Sequence, residues 1–520
     1  MSKGSFPKMV QETARGSFIL MVGQIISGII STICIIWMAR VLGPTSYGEY
    51  TLALVPVSVA MLFQDLGMNQ SLTRFSAMYR YEKRKELKTV VWTGLIFELV
   101  TATIISSLLY IFAGPIASYF LKRPELEPLV KVAAFAVLGN GGIQTTIGAI
   151  FVGYEIMSLR SLLQVFFSLS RLVLGVTLIL IGWGAFGAVF SYSAALILSG
   201  FIGFILFFKF IKFEPGQNSI FDISTLKTLL SYGFPLSIGS ILGGALNQLY
   251  NFLLAYYVAT DLIGNYGATV NFGIIIAFIM IPISSALLPF FSKFKRDDSK
   301  LKIIFNLSVK YTSMVTLPAV LLIVALSSPI STIIYGASYP YVALYLSLYL
   351  LLDAFEGLGG ITLVNLISGI GEARIILHSS IINLITGGIL ATLLVPRYQV
   401  IGLLMAMIIT PMFGWVYQIL WVKKNLGFTV NWSSSARIYL TGFAAFIPTY
   451  ILVNYLKLGS WVTILLGGVV FVAIYFVGLP LSGAIGRIDL EQLDATAATM
   501  GPLSKILKII LNILSRLVKE

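Results

Sequence analysis

The sequence predicts an all-α polytopic membrane protein of about 14 transmembrane helices, arranged as two parallel six-helix repeats plus two extra C-terminal spans. Of its 520 residues, 58% are hydrophobic and only 11% are charged, and the mean hydropathy is +0.93. An average soluble protein carries about 25% charged residues. The apolar runs are continuous over about 20 residues, which favours membrane-spanning helices over the alternating pattern of a barrel.

The predicted spans follow the apolar runs in chain order, six in each half and two beyond them. The first half has runs at residues 16–38, 47–63, 90–112, 129–154, 159–183 and 187–210. The second half has runs at 232–258, 267–291, 303–326, 341–367, 376–395 and 400–422. The last two predicted spans are 436–455 and 460–479.

An internal repeat relates the two halves at an offset of about 216 residues. Gly48-x-Tyr50 recurs as Gly264-x-Tyr266, and Gly153 recurs as Gly369. A near-constant offset from end to end indicates a duplicated unit. We therefore predict an N-terminal six-helix lobe at 1–211 and a C-terminal six-helix lobe at 212–424. Two extra transmembrane helices at 425–485 and a cytoplasmic amphipathic helix within 486–520 follow.

The charge distribution predicts the orientation of the chain. The net charge is +14, with 35 Lys+Arg against 21 Asp+Glu. Basic residues concentrate in the loops after spans two and eight, whereas the loops after spans five and nine are uncharged. This positive-inside bias predicts that both termini lie in the cytoplasm. It also accounts for most of the net positive charge without a nucleic-acid partner. Residues 503–518 are apolar with a basic residue about every turn, which predicts a helix lying on the cytoplasmic leaflet.

Enzyme, metal and cofactor chemistry find no support in the sequence. The one cysteine, Cys34, excludes a disulfide framework and a cysteine metal site. The one histidine, His378, argues against a histidine-based zinc or haem site. No phosphate-binding loop or hydrolase motif is present. A membrane-bound glycan ligase or polymerase would need a large external loop, and the longest one predicted spans only residues 113–127.

Residues 39–77 carry the most specific pattern of the chain. It contains Ala-Arg40-x-Leu-Gly-Pro, Tyr-Gly-x-Tyr50, Asp65-Leu-Gly and Leu-x-Arg74-Phe. This stretch resembles the opening of the polysaccharide flippase family, whose relatives are the lipid II flippases and the multidrug and toxin extrusion transporters. The resemblance gives Arg40, Asp65 and Arg74 a structural or gating role as signature residues, and substrate contact is the alternative. Their opposite charges also make Asp65 and Arg74 candidates for an ion pair.

The resemblance also implies a function. It implies an alternating-access transporter, not an enzyme, that moves a polyprenyl-phosphate- or pyrophosphate-linked oligosaccharide from the cytoplasmic to the outer leaflet. Its expected partners are the lipid-linked glycan, membrane lipids and a coupling ion, either proton or sodium. No cofactor is implied, and the expected protein is a monomer in the cell membrane. The alternative is an ion-coupled multidrug or organic-cation exporter on the same fold.

Charges at membrane depth are the candidate site residues, since they are costly there. Arg171, near the middle of span five, is a candidate for binding the substrate phosphate, because guanidinium groups bind phosphate bidentately. A structural pair with Glu98 is the alternative. Arg15, at the start of span one, either faces the inner mouth of the cavity or lies at the interface.

Asp353 and Glu356 are candidates for ion coupling. They lie one turn apart in span ten, and two close carboxylates resist simultaneous ionisation. Neutralisation by Lys310 of span nine, or by Arg171, is the alternative.

Polar residues of spans one and seven complete the set. Gln24, Asn247, Gln248 and Asn251 offer hydrogen bonds to sugar hydroxyls. The alternative is that they bond neighbouring helices to each other.

Overall fold

The computed structural model describes residues 5–82, 84–213, 219–296, 300–456, 459–487, 489–491, 494 and 515. Within these ranges the chain consists of helices and turns. The predicted amphipathic helix at 503–518 lies outside the described residues, except for Ser515.

The helices of the first part of the chain follow the predicted apolar runs. They are α1 (Ser5–Gln64), α2 (Met68–Glu82), α3 (Arg84–Ile111), α4 (Glu127–Val137), α5 (Thr146–Gly153), α6 (Met157–Leu180), α7 (Gly184–Phe210) and α8 (Ile223–Tyr257). Short turns at Ala113–Pro115, Ile116–Phe120 and Pro124–Leu126 join α3 to α4, and a π-helical segment at Leu138–Thr145 joins α4 to α5.

The rest of the chain continues in the same way. The helices are α9 (Thr260–Val270), α10 (Gly273–Phe291), α11 (Leu301–Ala325), α12 (Ser327–Tyr335), α13 (Val342–Leu350), α14 (Gly360–Gly369), α15 (Ala373–Leu426), α16 (Trp432–Tyr455) and α17 (Ser460–Leu481). A 3₁₀ segment at Leu351–Leu358 joins α13 to α14.

The described residues contain eleven helices long and apolar enough to cross a membrane, or twelve if the bent pair Val342–Leu358 and Gly360–Gly369 counts as one span. With the bent pair counted as one span, the remaining difference of two from fourteen arises because two helices each contain two predicted spans. In α1 the break is at Gly43, with φ 72° and ψ 171°, and in α15 it is at Gln399, with φ 53° and ψ −130°. The apolar part of α1 has 47 residues, about twice the roughly 20 that one span needs, so it is long enough for two spans.

The chain divides into two compact units by its internal contacts. The first comprises Met1–Gly267 with Val395–Val400, and the second comprises Ala268–Leu394 with Ile401–Glu520. In the first unit, Leu72, Phe151, Leu163 and Phe207 form part of a fully buried apolar core that joins α2, α5, α6 and α7. In the second, Phe291, Leu301, Phe305, Leu363 and Val422 do the same for α10, α11, α14 and α15.

Helix α8 belongs to the first of these units, although the repeat assigns it to the second half of the chain. Gly67 and Gly233 are so close that a Cβ on Gly67 would lie 1.9 Å from the carbonyl oxygen of Gly233. Ser71 of α2 donates a hydrogen bond of 2.7 Å to the carbonyl of Leu229. Both contacts hold α8 against the end of α1 and the start of α2.

Equivalent contacts recur in both units at the offset read from the sequence. A Cβ on Gly153 would lie 2.7 Å from Cβ of Ser76, and one on Gly369 would lie 2.7 Å from Cβ of Phe291 and 3.1 Å from the backbone nitrogen of Ser292. Only glycine leaves room for these helix contacts.

Two ion pairs recur in the same manner. Arg80 lies 3.7 Å from Glu155, and Arg296 lies 3.3 Å from Glu372. Arg80 and Arg296 are 216 positions apart, and Glu155 and Glu372 are 217 apart. In each unit the arginine follows one helical hairpin and the glutamate follows the next, so the ion pair connects the ends of the two hairpins.

A third set of contacts lies inside the first unit, where α1 crosses α9. A Cβ on Gly48 would lie 2.0 Å from the carbonyl oxygen of Thr260, and one on Gly264 would lie 1.8 Å from that of Pro44. At the repeat offset of 216, positions 44 and 48 correspond to positions 260 and 264. Each of the two contacts is therefore the repeat equivalent of the other. The crossing is therefore pseudo-symmetric and requires glycine on both helices.

Candidate functional site

Arg171 lies in the middle of α6 and is only 6% exposed. Its Nη2 donates a hydrogen bond to the hydroxyl of Tyr50 on α1, and its guanidinium lies 5.1 Å from the ring centre of Tyr192 on α7. Nε has no hydrogen-bond partner among the described residues. The ionisable groups that act on this guanidinium are Tyr47, Tyr50, Tyr192 and Cys34, so no described carboxylate compensates its charge.

Glu98 is not the partner of Arg171, which corrects the alternative considered above. Glu98 on α3 is fully buried and accepts a hydrogen bond from the side-chain amide of Gln64. Its second carboxylate oxygen has no hydrogen-bond partner in the described part of the chain, and the charged group that acts on it is Asp65. The first unit thus contains a buried cation and a buried acid that do not neutralise each other.

The signature residues of the segment 39–77 have separate roles. The Asp65 carboxylate accepts a 2.8 Å hydrogen bond from the backbone N–H of Asn69, so it caps the start of α2. The turn before that helix places Leu66 and Gly67 at positive φ, 44° and 79°. Arg74 is exposed and lies 4.2 Å over the ring of Tyr232, and no described ion pair joins it to Asp65. Arg40 is exposed on α1.

The polar patch of α8 bonds two helices together. Ser58 of α1 donates to Oε1 of Gln248 at 2.8 Å, and Asn251 donates to the same oxygen at 3.3 Å. Asn247 and Gln24 are exposed. The side chain of Arg15 lies outside what the structure describes, although its backbone belongs to α1.

Asp353 and Glu356 lie on the 3₁₀ segment between α13 and α14, where residues three apart share a face. Glu356 accepts a hydrogen bond from the backbone N–H of Ile361 and so caps α14. Asp353 has no hydrogen-bond or ion-pair partner among the described residues. Lys310 does not neutralise this pair, because its Nζ lies 2.6 Å from Oδ2 of Asp489. That pairing corrects the alternative raised for the two carboxylates.

Several partners were missed by reasoning from the sequence. The partner of Arg171 is Tyr50, which belongs to the Tyr-Gly-x-Tyr motif. That motif is the sequence feature that could have indicated it. Gln64 and Asp489 carry no such signal, because the Lys310–Asp489 pair joins residues 179 positions apart. Among the described residues, no three or more acidic, histidine or cysteine side chains group to hold a metal ion.

This arrangement of buried, uncompensated charges within long apolar helices suits the binding of ions or charged groups in a membrane. The same fold occurs in solved membrane-protein structures. The lipid II flippase MurJ, in an inward closed conformation, superposes with a TM-score of 0.74 at 17% identity, covering 89% of this chain and 98% of that one. An inward-facing multidrug MATE transporter of the MOP superfamily superposes at 0.64 and 17% identity, covering 77% and 94%.

The chain belongs to the family described as polysaccharide biosynthesis protein, which matches residues 13–295. It is therefore a multi-pass membrane protein of the polysaccharide biosynthesis family. An uncharacterised membrane protein of Methanocaldococcus jannaschii is 21% identical over 445 residues, 81% of this chain and 86% of the relative. A putative O-antigen transporter of Shigella flexneri is 21% identical over 374 residues, 70% of this chain and 87% of the relative.

Proposed function

We propose that the protein flips a polyprenyl-phosphate- or pyrophosphate-linked oligosaccharide from the cytoplasmic to the outer leaflet. The family, the MurJ-like fold and the similarity to a putative O-antigen transporter support this substrate class. A charged, lipid-linked group needs a protein to cross the membrane, because the hydrocarbon core excludes charge.

The observation that carries the proposal is the uncompensated guanidinium of Arg171. A buried cation without a carboxylate is costly, so an anion that arrives there is favoured. Its Nε has no hydrogen-bond partner in the described part of the chain, which leaves part of the guanidinium fork for a phosphate oxygen. Gln24, Asn247, Gln248, Asn251 and Arg15 remain proposed substrate contacts, with Gln24 and Asn247 exposed for that purpose.

The proposal includes fourteen crossings, with α1 and α15 each crossing twice and both termini in the cytoplasm. The lobes at 1–211 and 212–424 would then be duplicated units, as the recurring glycine contacts and ion pairs favour. Under this topology the Gly48–Gly264 crossing lies at the external end. Alternating access requires that it opens once per cycle, and small residues permit such close but reversible contact.

The proposed coupling site is Asp353 with Glu356. Asp353 is the better candidate for carrying an ion or a proton, because Glu356 already serves as a helix cap. An organic-cation exporter on the same fold would use the same acid but has no use for the buried Arg171.

The test is a transport assay on the full chain in proteoliposomes. A fluorescent polyprenyl-pyrophosphate oligosaccharide is placed in both leaflets, and its exposure to a membrane-impermeant quencher is followed with and without a proton or sodium gradient. We expect the protein to accelerate its flipping and to leave ethidium transport at the rate of empty vesicles. Gradient-driven ethidium transport without glycolipid flipping would contradict the proposal and favour the cation exporter.

A further inference from the structure

A polar pocket of about 260 Å³ lies among α2, α5 and α6, inside the first compact unit. It is distinct from the surroundings of Arg171. Its lining is unusually polar for this apolar chain and consists of Asn69, Gln70, Thr73, Thr145 and Arg160 beside the small residues Gly148 and Ala149 and the side chain of Val152. Under the predicted topology it lies at the cytoplasmic end, because it adjoins the loops after spans two and four.

Arg160 brings a charge to this pocket that no described carboxylate balances. Its guanidinium makes one weak hydrogen bond, from Nη1 to the carbonyl of Gln144 at 3.5 Å. Glu155 is the nearest acid along the chain, and it is engaged by Arg80 at 3.7 Å. A partly buried guanidinium without a counter-charge is unfavourable unless an anion joins it.

Gly148 makes room for the guanidinium. A Cβ at this position would lie 1.9 Å from Nη1 of Arg160, so any larger residue would displace the charged group. The repeat-related positions carry neither residue. At the offset of 216 that relates Gly153 to Gly369, Gly148 and Arg160 correspond to Val364 and Ile376.

The hydroxyls of the pocket are already used within the protein. Thr73 donates to the carbonyl of Asn69 at 2.9 Å, and Thr145 donates to that of Asn140 at 2.8 Å. Arg160 and the side-chain amides of Asn69 and Gln70 are the described lining groups with donors to spare. The amide oxygen of Asn69 is buried without a hydrogen-bond partner among the described residues. The spare donors call for a negatively charged acceptor, and the amide oxygen of Asn69 calls for a donor. A small anionic group that carries a hydroxyl when protonated satisfies both.

We propose that this pocket binds the phosphate group of a lipid in the cytoplasmic leaflet. A guanidinium fork matches phosphate oxygens, and a pocket of this volume admits a phosphate but not an oligosaccharide. The phosphate comes either from the polyprenyl carrier or from a bilayer phospholipid. This second phosphate site goes beyond the proposed flipping activity and stands whether or not the protein flips a glycan.

The experiment measures lipid binding to the detergent-solubilised full chain by native mass spectrometry. The probes are a polyprenyl phosphate, phosphatidylglycerol and inorganic pyrophosphate, each titrated separately. Arg160→Gln should weaken binding of the recognised probe about ten- to hundredfold, because a charged hydrogen-bonded contact is lost. Gly148→Ala should weaken it similarly while keeping the arginine, and Arg160→Lys should retain part of it.

The control is Lys212→Gln, which removes an exposed cation that does not line the pocket. It should leave the dissociation constants unchanged. Preference for polyprenyl phosphate identifies the carrier as the source of the phosphate, and equal binding of phosphatidylglycerol identifies the bilayer. Equal losses in Lys212→Gln and Arg160→Gln, or unchanged lipid binding in both Arg160→Gln and Gly148→Ala, would overturn the proposal. Binding of pyrophosphate alone would also overturn it, since the anion would not be lipid-borne.

Discussion

The partners of single charged residues determine how their substitutions should be interpreted. Arg171 bonds to Tyr50 and not to Glu98, so its charge is available to a ligand. The same comparison separates Glu356, which caps a helix, from Asp353, which has no described partner. Two predictions follow from these differences.

The first prediction concerns Arg171. Arg171→Ala should reduce glycolipid flipping at least tenfold, and Arg171→Lys should retain part of it, because charge without the fork still attracts phosphate. Tyr50→Phe removes one hydrogen bond to a charged group, so it should cost about 1.5–3 kcal/mol of stability at most. Flipping rates in proteoliposomes and thermal unfolding in detergent are the measurements.

The control for this series is Glu98→Gln. Because Glu98 and Arg171 are not partners, the double variant should show no rescue of either stability or transport. Recovery of both in the double variant would mean that the two charges compensate each other after all.

The second prediction concerns Asp353 and Glu356. Asp353→Asn should weaken the dependence of flipping on the proton or sodium gradient, because it removes the acid that is free to bind the ion. Glu356→Gln keeps an acceptor for the N–H of Ile361 and should leave more of the gradient dependence intact. If Asp353→Asn retains the full dependence, coupling lies elsewhere.

Helices and the segments between them are held by a small number of specific contacts. The end of α17 continues into residues whose Asp489 reaches back to α11, where it bonds to Lys310 at 2.6 Å and to the hydroxyl of Tyr311 at 3.1 Å. The side chains of Lys310 and Asp489 are only 17% and 10% exposed. This pair therefore anchors the segment that follows α17 to α11.

The third prediction tests that anchor. Burial raises the pKa of Asp489, but the hydrogen bond from Lys310 and that from the backbone N–H of Gly486 outweigh it, so the pKa lies below its usual value. A lowered pKa stabilises the fold above the ordinary carboxyl pKa of about 4, and this contribution is lost as the pH falls through the folded-state value.

Asp489→Asn should thus destabilise the protein by about 1 kcal/mol, after allowance for solvent screening. The deficit in unfolding midpoint should be constant between about pH 8 and pH 6 and shrink below about pH 4. Lys310→Met combined with Asp489→Asn should cost less than the sum of the single changes. A strictly additive double variant would show that the pair contributes nothing.

The fourth prediction concerns the crossing of α1 and α9. A Cβ on Gly267 would lie 3.2 Å from Oγ1 of Thr51, close enough for a disulfide between cysteines at these positions. In a Cys34→Ala background, Thr51→Cys with Gly267→Cys should form a disulfide under oxidation and stop flipping. Reductant should restore it, because the external end must open during the cycle.

The matched controls are the two single-cysteine variants, which should transport equally with oxidant and reductant. Full transport by the cross-linked double variant would show that this crossing does not open.

For the whole molecule, the charge pattern predicts the orientation of the chain in the membrane. Ser338 lies in an exposed turn after α12, and Ser433 is exposed at the start of α16. With Cys34→Ala, a cysteine at 338 should react with an impermeant maleimide added to intact cells, and one at 433 only after permeabilisation. The reverse pattern would invert the proposed orientation and place the Gly48–Gly264 crossing on the cytoplasmic side.

The sequence alone determined the membrane class, the positions of the helices and the offset of the repeat. Each of these properties is local or periodic. Transfer of about 20 apolar residues into a bilayer favours a helix wherever such a run occurs. Glycines at matching positions mark contacts that only glycine permits, so Gly48 and Gly264 could be identified before their contact was known. Residues 39–77 likewise identified the family.

The tertiary structure decided which charges meet. Which side chain faces Arg171, Lys310 or Glu98 depends on the rotation of each helix about its axis and on its neighbours, and hydropathy does not encode either. The partners Tyr50, Asp489 and Gln64 lie 121, 179 and 34 positions away along the chain. The breaks inside α1 and α15 lie at Gly43 and Gln399, whose dihedral angles are non-helical, so each separates two predicted spans. Long-range packing sets these choices, so the candidate site emerged only when the helices were in place.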